Sequence, residues 1–154
     1  MKRGVVRIPA SVACVPAHAF SNCSGVTEIR VDDANPFLSS ADGILFNKDR
    51  SRLLCCPWGK EGAARIPESV MDFENNAFSG CARLTAFDVA GDNSVYSSRD
   101  GLLLNKKMTT LILCPTGKSG RARIPASVDR INDGAFKGCD QLECVIIPEE
   151  ATGM

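Results

Sequence analysis

The chain has 154 residues, enough for one domain with its own hydrophobic core. Its 18 basic residues balance 18 acidic ones, so overall charge gives no reason to expect nucleic acid or an anionic membrane as a partner. No apolar run approaches the roughly 18 residues of a membrane span. The start Met1-Lys2-Arg3 also lacks the following apolar stretch of roughly 7–15 residues that a signal peptide needs. We therefore expect no membrane insertion, and either the protein stays where it is made or an export signal lies outside this sequence.

One internal repeat runs through the chain without a gap. The dipeptide Ile8-Pro9 recurs as Ile66-Pro67 and Ile124-Pro125, each 58 residues after the last. Such self-similarity is typical of solenoids. We expect a single domain over residues 1–154, with copies at about 6–63, 64–121 and, in part, 122–149, belonging to a longer array. The same spacing holds for the Ala-Phe-x-x-Cys segments that begin at Ala19, Ala77 and Ala135, the Asp-Gly pairs at Asp42 and Asp100, and the Cys-Pro-x-Gly-Lys segments that begin at Cys56 and Cys114.

Each period contains two coils with strand patterns. Segments that begin at Val26, Leu84 and Leu142 fit the L-x-x-L-x-L strand signature of leucine-rich repeats. A shorter strand pattern precedes each Ile-Pro dipeptide. We therefore predict a mainly β fold in which six parallel strands stack about 4.8 Å apart as one sheet face. Their centres lie near Arg7, Arg30, Arg65, Asp88, Arg123 and Ile146.

The longer coil of each period has room for a β-hairpin. Residues 44–46 and 53–56 are short apolar runs suited to strands. Asp42-Gly43 before them and Asn47-Lys48-Asp49 between them are turn residues that tolerate positive φ. We therefore place a hairpin insert on alternate coils. The Ala-Phe-x-x-Cys segments predict short helices or 3-10 turns on the convex side, with the Phe ring in the core.

These motifs closely resemble the BspA-type leucine-rich repeat, whose pattern runs roughly I-P-x-S-V-x-x-I-x-x-x-A-F-x-x-C-x-x-L-x-x-I. The third copy follows the pattern most closely, from Ile124 through Ala135 to Cys139. The resemblance covers nearly the whole chain. It implies a right-handed solenoid, usually part of a larger bacterial surface or secreted protein that adheres to host or neighbouring-cell components. Function carries over only as a class.

The eight cysteines raise the question of disulfides or zinc. Equivalent cysteines lie two coils apart, roughly 10 Å, whereas a disulfide needs Cα atoms within about 7 Å. The chain has no C-x-x-C pair, so we expect neither a metal nor a cofactor. Pairing among the non-repeating Cys14, Cys55 and Cys144, or across chains, stays open. We expect buried thiols that pack as small hydrophobes at Cys23, Cys56, Cys81, Cys114 and Cys139.

No catalytic set can be assembled, so the sequence predicts no enzyme. The single histidine, His18, has no equivalent in the other copies. Asp42 and Asp100 stand at hairpin turns, where a carboxylate is expected to bond its own backbone. Gly117-Lys118 looks like the end of a phosphate-binding loop, but Ile112 stands where that motif requires glycine. A turn that closes the hairpin accounts for it.

Arginines dominate the outward positions of the predicted strands. The residues between the inward apolar positions are Arg7, Arg30, Arg65, Asp88, Arg123 and Ile146, with Arg121 beside Arg123. As a functional site this row is a groove for an anionic partner, such as an acidic glycan or an acidic protein segment. The alternative is a solvated face with ion pairs worth about 0–1 kcal/mol each, Asp88 with Arg65 or Arg123 and Glu28 near Arg30.

Two functions of different classes therefore remain. The first is a non-enzymatic adhesion module that binds protein or glycan on another cell or matrix. The second is a structural spacer without its own ligand. The last strand would expose Cys144 and Ile146 and an uncovered sheet edge, so we expect further repeats or another chain, including end-to-end self-association, to cover it.

Overall fold

The computed structural model describes residues 4–15, 19, 23, 25–74 and 77–147. His18, Phe20 of the first Ala-Phe-x-x-Cys segment and the end of the partial third copy lie outside these residues. The chain forms two compact units: Met1–Glu61 with Ser69–Cys81 (unit 1), and Gly62–Glu68 with Ala82–Met154 (unit 2). The expectation of a single domain with the repeat bounds given above stays a prediction.

Strands account for nearly all the regular structure of the described residues. In chain order they are β1 (Gly4–Ile8), β2 (Val26–Val31), β3 (Leu38–Ala41), β4 (Ile44–Asn47), β5 (Arg52–Cys55), β6 (Gly62–Ile66), β7 (Asp72–Phe73), β8 (Leu84–Val89), β9 (Tyr96–Arg99), β10 (Leu102–Asn105), β11 (Thr110–Leu113), β12 (Gly120–Arg123), β13 (Arg130–Ile131) and β14 (Leu142–Ile146). All six predicted strands are present.

The two units repeat one sheet arrangement. In unit 1, β1 pairs with β2 in parallel, β3, β4 and β5 form an antiparallel meander, and β7 adds to β5 in parallel. In unit 2, β6 pairs with β8, and β9, β10, β11 and β13 repeat the meander with its parallel edge. A further parallel pair, β12 with β14, follows. The predicted hairpin on alternate coils is confirmed.

Each hairpin has an additional first strand that the apolar pattern did not predict. β3 and β9 contain paired serines, whose side chains bond the backbone instead of adding to the core. Ser39 Oγ donates to the carbonyl of Asn47 at 2.7 Å, and Ser40 Oγ accepts from the Val31 N–H at 2.9 Å. The serine hydroxyls thus fix β3 between β4 and the end of β2.

The first hairpin turn has the predicted backbone, and the second differs. Asp42 and Gly43 have φ of 53° and 76°, which fits a type I′ hairpin turn. At the second turn positive φ falls on Arg50, at 59°, and not on the Asn47-Lys48-Asp49 run. Asn47 ends β4, and its Oδ1 accepts the Arg52 N–H at 3.0 Å. The Asn47 side chain thus closes the loop, and Arg50 is the residue with positive φ where the chain reverses direction.

The parallel face is divided into strand pairs, which corrects the expected six-stranded ladder. In unit 2 the Phe87 N–H of β8 donates to the carbonyl of Gly101 at 2.9 Å, and the Gly117 N–H donates to that of Leu84 at 2.7 Å. The hairpin turn therefore occupies the edge of β8 where an unbroken ladder would place β12. Among the described residues β8 pairs as a strand only with β6.

Each unit has its own apolar core. Ile29 and Leu45 are fully buried in the core of unit 1, and Leu104 and Leu111 in that of unit 2. Near the core of unit 1, the buried Asn35 Nδ2 donates to the carbonyls of Pro9 and Val12 at 3.0 and 2.9 Å. This amide ties the turn after the Ile-Pro dipeptide to the start of β3.

The Ala-Phe-x-x-Cys segments form turns. In the second copy, Ala77 N–H donates to Glu74 O at 3.1 Å and Cys81 N–H donates to Phe78 O at 3.3 Å. Phe78 is buried and packs edge-on against Phe73, with ring centroids 5.6 Å apart. The predicted core position of the Phe ring is confirmed in this copy.

Gly117 is required by a close backbone approach. A Cβ at this position would lie 2.6 Å from the carbonyl oxygens of both Ala82 and Leu84. We expect Gly117→Ala to lower the free energy of unfolding by about 1–3 kcal/mol, measured by urea denaturation. Gly91→Ala is the matched control, because a Cβ there meets nothing within 4 Å. Equal midpoints for the two variants would contradict this account of Gly117.

Candidate functional site

The strand-face residues predicted from the sequence are exposed between buried neighbours. Ala122 is 0% and Ile124 is 4% exposed, whereas Arg123 between them faces solvent. The alternation follows from the side-chain period of a strand. The same alternation exposes Arg7, Arg30, Arg65, Asp88 and Arg121, whereas Ile146 is half-buried.

The strand register groups these residues in pairs. Neighbouring strands lie about 4.8 Å apart, so opposed side chains can act together on one ligand. The arginine row is therefore a set of local groups, one on each strand pair. Arg7 lies opposite Arg30, Arg65 opposite Asp88, Arg121 opposite Cys144 and Arg123 opposite Ile146.

The first group forms a cleft of balanced charge in unit 1. Arg30 Nε bonds the carboxylate of Glu28, an exposed ion pair worth about 0–1 kcal/mol. Asp32 and Asp33 offset the two arginines, so this cleft has little net attraction for an anion. It is open, has a volume of about 640 Å³ and is lined by Arg7, Ile8, Pro9, Arg30, Val31, Asp32 and Asp33.

A cleft at the third Arg-Ile-Pro motif, in unit 2, has an excess of positive charge. Within the described residues, the guanidinium groups of Arg99 and Arg123 have neither a hydrogen-bond nor an ion-pair partner. We call it the Arg123 cleft. It has a volume of about 630 Å³ and is lined by Arg99, Asp100, Arg123, Ile124, Pro125, Ala126 and Ser127.

The Arg123 cleft combines two cations with an apolar floor. Arg99 ends β9 and Arg123 ends β12, and Ile124 and Pro125 continue from the latter. A planar guanidinium binds carboxylate or sulfate through paired hydrogen bonds. This arrangement suits an acidic group carried on a partly apolar ligand.

Sequence reasoning missed Arg99. It stands where the first copy has Ala41, within an otherwise matching Ser-Ser-x-Asp-Gly segment. The change from alanine to arginine inside a repeated motif was the available signal. Only the placement of β9 shows that this side chain joins Arg123.

A lysine fixes each hairpin turn, buried in unit 1 and half-buried in unit 2. Lys60 is 8% exposed, and its Nζ lies 2.6 Å from the carbonyl oxygen and 3.2 Å from Oδ2 of Asp42. Lys118 makes the same contacts with Asp100 at 2.9 and 3.8 Å. These contacts agree with the turn-closing role expected of the Gly-Lys segments. In unit 2 the contacts with Lys118 involve Asp100, the acidic residue that lines the Arg123 cleft.

The repeated cysteines are buried in part. Cys56, Cys81 and Cys114 are fully buried and Cys139 is half-buried, but Cys23 is exposed, which corrects the expectation at that position. The other buried cysteines each lie against a cysteine 25 residues away in the chain.

Within the described residues, no three His, Cys, Asp or Glu side chains lie together as a metal ion would require. In the same part of the chain, no helix is long and apolar enough to span a membrane.

A family profile described as BspA type leucine rich repeat region matches the chain in six copies, over residues 4–47 and 114–154, together more than half of its length. The chain belongs to the BspA-type leucine-rich-repeat family. No curated protein matches it. The family assignment supports a repeat module of a kind that is typically non-enzymatic.

Two solved structures of bacterial proteins share the fold, and a third is less similar. A leucine-rich repeat protein from Eubacterium ventriosum is 18% identical, with a TM-score of 0.61 over 96% of this chain and 48% of its own. The pneumococcal vaccine antigen PcpA is 20% identical, with a TM-score of 0.58 over 96% and 40%. A leucine rich cell surface protein from Faecalibacterium prausnitzii is 17% identical, with a TM-score of 0.48 over 92% and 47%.

This BspA-type chain spans less than half the length of each of these proteins. At such identities the likeness shows the fold alone. The predicted fold class, a mainly β leucine-rich-repeat solenoid, is confirmed.

Removing the contacts of Lys118 with Asp100 should destabilise the hairpin turn beside the Arg123 cleft. In Lys118→Met, we expect amide hydrogen exchange at Phe87, whose N–H bonds Gly101, to accelerate about 5- to 30-fold, as expected for a local loss of about 1–2 kcal/mol. Lys106→Met is the control, because Lys106 Nζ bonds Gly91 O instead. Unchanged exchange at Phe87 in Lys118→Met would show that the turn does not need the contacts between Lys118 and Asp100.

Proposed function

We propose that this chain is a non-enzymatic binding module of a surface-exposed or secreted leucine-rich-repeat protein. Its partner is an acidic protein segment or an acidic glycan on another cell or matrix. The resemblance to BspA-type adhesion proteins supports the location and the class of function. The residues proposed to bind are those of the strand face, with the Arg123 cleft as the principal site.

One observation carries the proposal: the guanidinium groups of Arg99 and Arg123 have no acceptor among the described residues. A guanidinium held beside an apolar floor loses part of its hydration and gains most from an anionic ligand. The balanced cleft at Arg7 and Arg30 contributes less, because Asp32, Asp33 and Glu28 compete with the ligand.

The remaining strand-face residues take lesser parts. Arg121 lies on the same face of β12 as Arg123 and adds to the local positive potential. Arg65 lies opposite Asp88, so this pair offers both a cation and an anion and favours a polar partner over a purely acidic one.

A structural spacer is the second candidate. The observation that favours it is the use of repeated polar side chains inside each unit. Lys60, Asn35 and Ser40, with their counterparts one period later, all bond the chain itself. A spacer needs these contacts and no ligand.

Charge reversal in the Arg123 cleft separates the two candidates. We expect Arg99→Glu with Arg123→Glu to weaken binding to an immobilised sulfated glycan or polyglutamate peptide about 10- to 100-fold, as expected from the loss of charge-assisted hydrogen bonds. The measurement is surface plasmon resonance at two salt concentrations, since long-range attraction is screened by salt and close pairs less so.

Arg130→Glu with Lys137→Glu is the matched control, because it makes the same change in net charge at two exposed residues outside the cleft. We expect it to change affinity less than about 3-fold. Equal losses in both variants would indicate nonspecific attraction. No binding by the wild-type chain to either probe would favour the spacer.

A further inference from the structure

One pair of cysteines lies together inside each unit, and in unit 1 Cys55 Sγ also lies 3.6 Å from the carbonyl oxygen of Cys56. Cys81 Sγ lies 3.4 Å from the carbonyl oxygen of Cys56 and 3.5 Å from that of Pro57, and Cys56 Sγ lies 3.8 Å from the Pro57 oxygen. The two sulfurs thus share one carbonyl oxygen. In the backbone, the Cys56 N–H donates to Ala77 O at 2.8 Å and holds the two segments in place.

Unit 2 repeats this arrangement one period later. Cys139 Sγ lies 3.5 Å from Cys114 O and 3.6 Å from Pro115 O, and Cys114 Sγ lies 3.7 Å from the same Pro115 oxygen. A hydrogen bond links the two thiols, and the Cys114 N–H donates to Ala135 O at 2.8 Å. The contact therefore belongs to the repeat and is not an accident of one copy.

We propose that Cys56 with Cys81, and Cys114 with Cys139, are dithiol sites that close to intramolecular disulfides on oxidation by a small-molecule disulfide. All four are free thiols in this structure. Thiols in hydrogen-bond contact must come closer together to reach the disulfide bond length of about 2.0 Å. Each bridge would tie the Ala-Phe-x-x-Cys turn to the segment that follows the hairpin, across 25 residues of chain.

The two thiols of the second pair have different roles in the reaction. Cys139 is half-buried, whereas Cys114 is fully buried. Burial, and then the nearby Cys139 sulfur, raise the pKa of Cys114 to about 12. Burial also raises the pKa of Cys139, but the hydrogen bond from Cys114 acts in the opposite direction. Cys139 is therefore the thiol that attacks first, and Cys114 closes the bridge.

With oxidised glutathione the steps balance. The Cys139 thiol loses its proton, its sulfur attacks one sulfur of glutathione disulfide, and glutathione thiolate leaves. The Cys114 thiol then loses its proton and attacks the Cys139 sulfur, which displaces a second glutathione thiolate. Two protein thiols become one disulfide, one glutathione disulfide is reduced to two thiols, and the two protons end on the departing thiolates.

The two pairs should differ in rate. Cys81 and Cys56 are both fully buried, and burial raises the pKa of Cys56 well above its usual range. A buried thiol is slow to react because only the thiolate attacks. In the folded protein the bridge between Cys114 and Cys139 should therefore form first, and faster as the pH rises.

The test uses a background in which the exposed Cys14, Cys23 and Cys144 are replaced by serine to prevent bridges between chains. The folded, reduced protein is treated with oxidised glutathione, quenched with acid, alkylated, digested and analysed by mass spectrometry. We expect a peptide linking Cys114 to Cys139, with the loss of two hydrogen atoms, before any link between Cys56 and Cys81. The thermal midpoint should rise and return to its starting value after reduction.

Cys114→Ser in the same background is the control. It should leave Cys139 as a stable mixed disulfide with glutathione and abolish the linked peptide. Circular dichroism checks that this variant is folded. If it is not, the rise in the thermal midpoint of the oxidised parent background still tests the proposal. Persistent mixed disulfide on Cys139 in the parent, or a bridge to any other cysteine, would overturn the proposal.

Discussion

The contact between the hairpin turn and the strand beside it determines the rest of this structure. The carbonyls of Gly43 and Gly101 accept hydrogen bonds from Ile29 and Phe87, one in each unit. Without the turn, these N–H groups on the strand edge would need another hydrogen-bond acceptor. The turn satisfies them, and a nearly buried lysine holds the turn in place by bonding the aspartate before each glycine.

That contact has a functional consequence. Because the turn fills the edge of the strand, the outward arginines are arranged by strand pair and not as one long row. It also brings the residue before the turn to the end of a different strand pair, which is how Arg99 joins Arg123. Arg99 and Arg123 thus line one positively charged cleft and are not spread over a basic face. For this reason we favour a specific acidic ligand over nonspecific attraction of anions.

The cysteines follow from the same packing. Each hairpin returns the chain to a Cys-Pro segment, and the next Ala-Phe-x-x-Cys turn packs its own cysteine onto that segment. Burial raises the pKa of Cys56, Cys114 and Cys139, which makes these thiols slow to react. The same burial, in two units, holds them close enough that oxidation would convert a packing contact into a covalent one.

The sequence by itself determined the period, the positions of six parallel strands, the hairpins and the alternation that exposes the arginines, because these depend on spacing and on side-chain polarity along the chain. It could not determine strand order, since hydrogen-bond partners are chosen among segments tens of residues apart. Arg99 and the cysteine pairs could not be found for that reason: each joins residues whose proximity exists only after the hairpin folds back. The serine strands β3 and β9 were missed because their stability comes from hydroxyl bonds to neighbouring backbone and not from apolar periodicity.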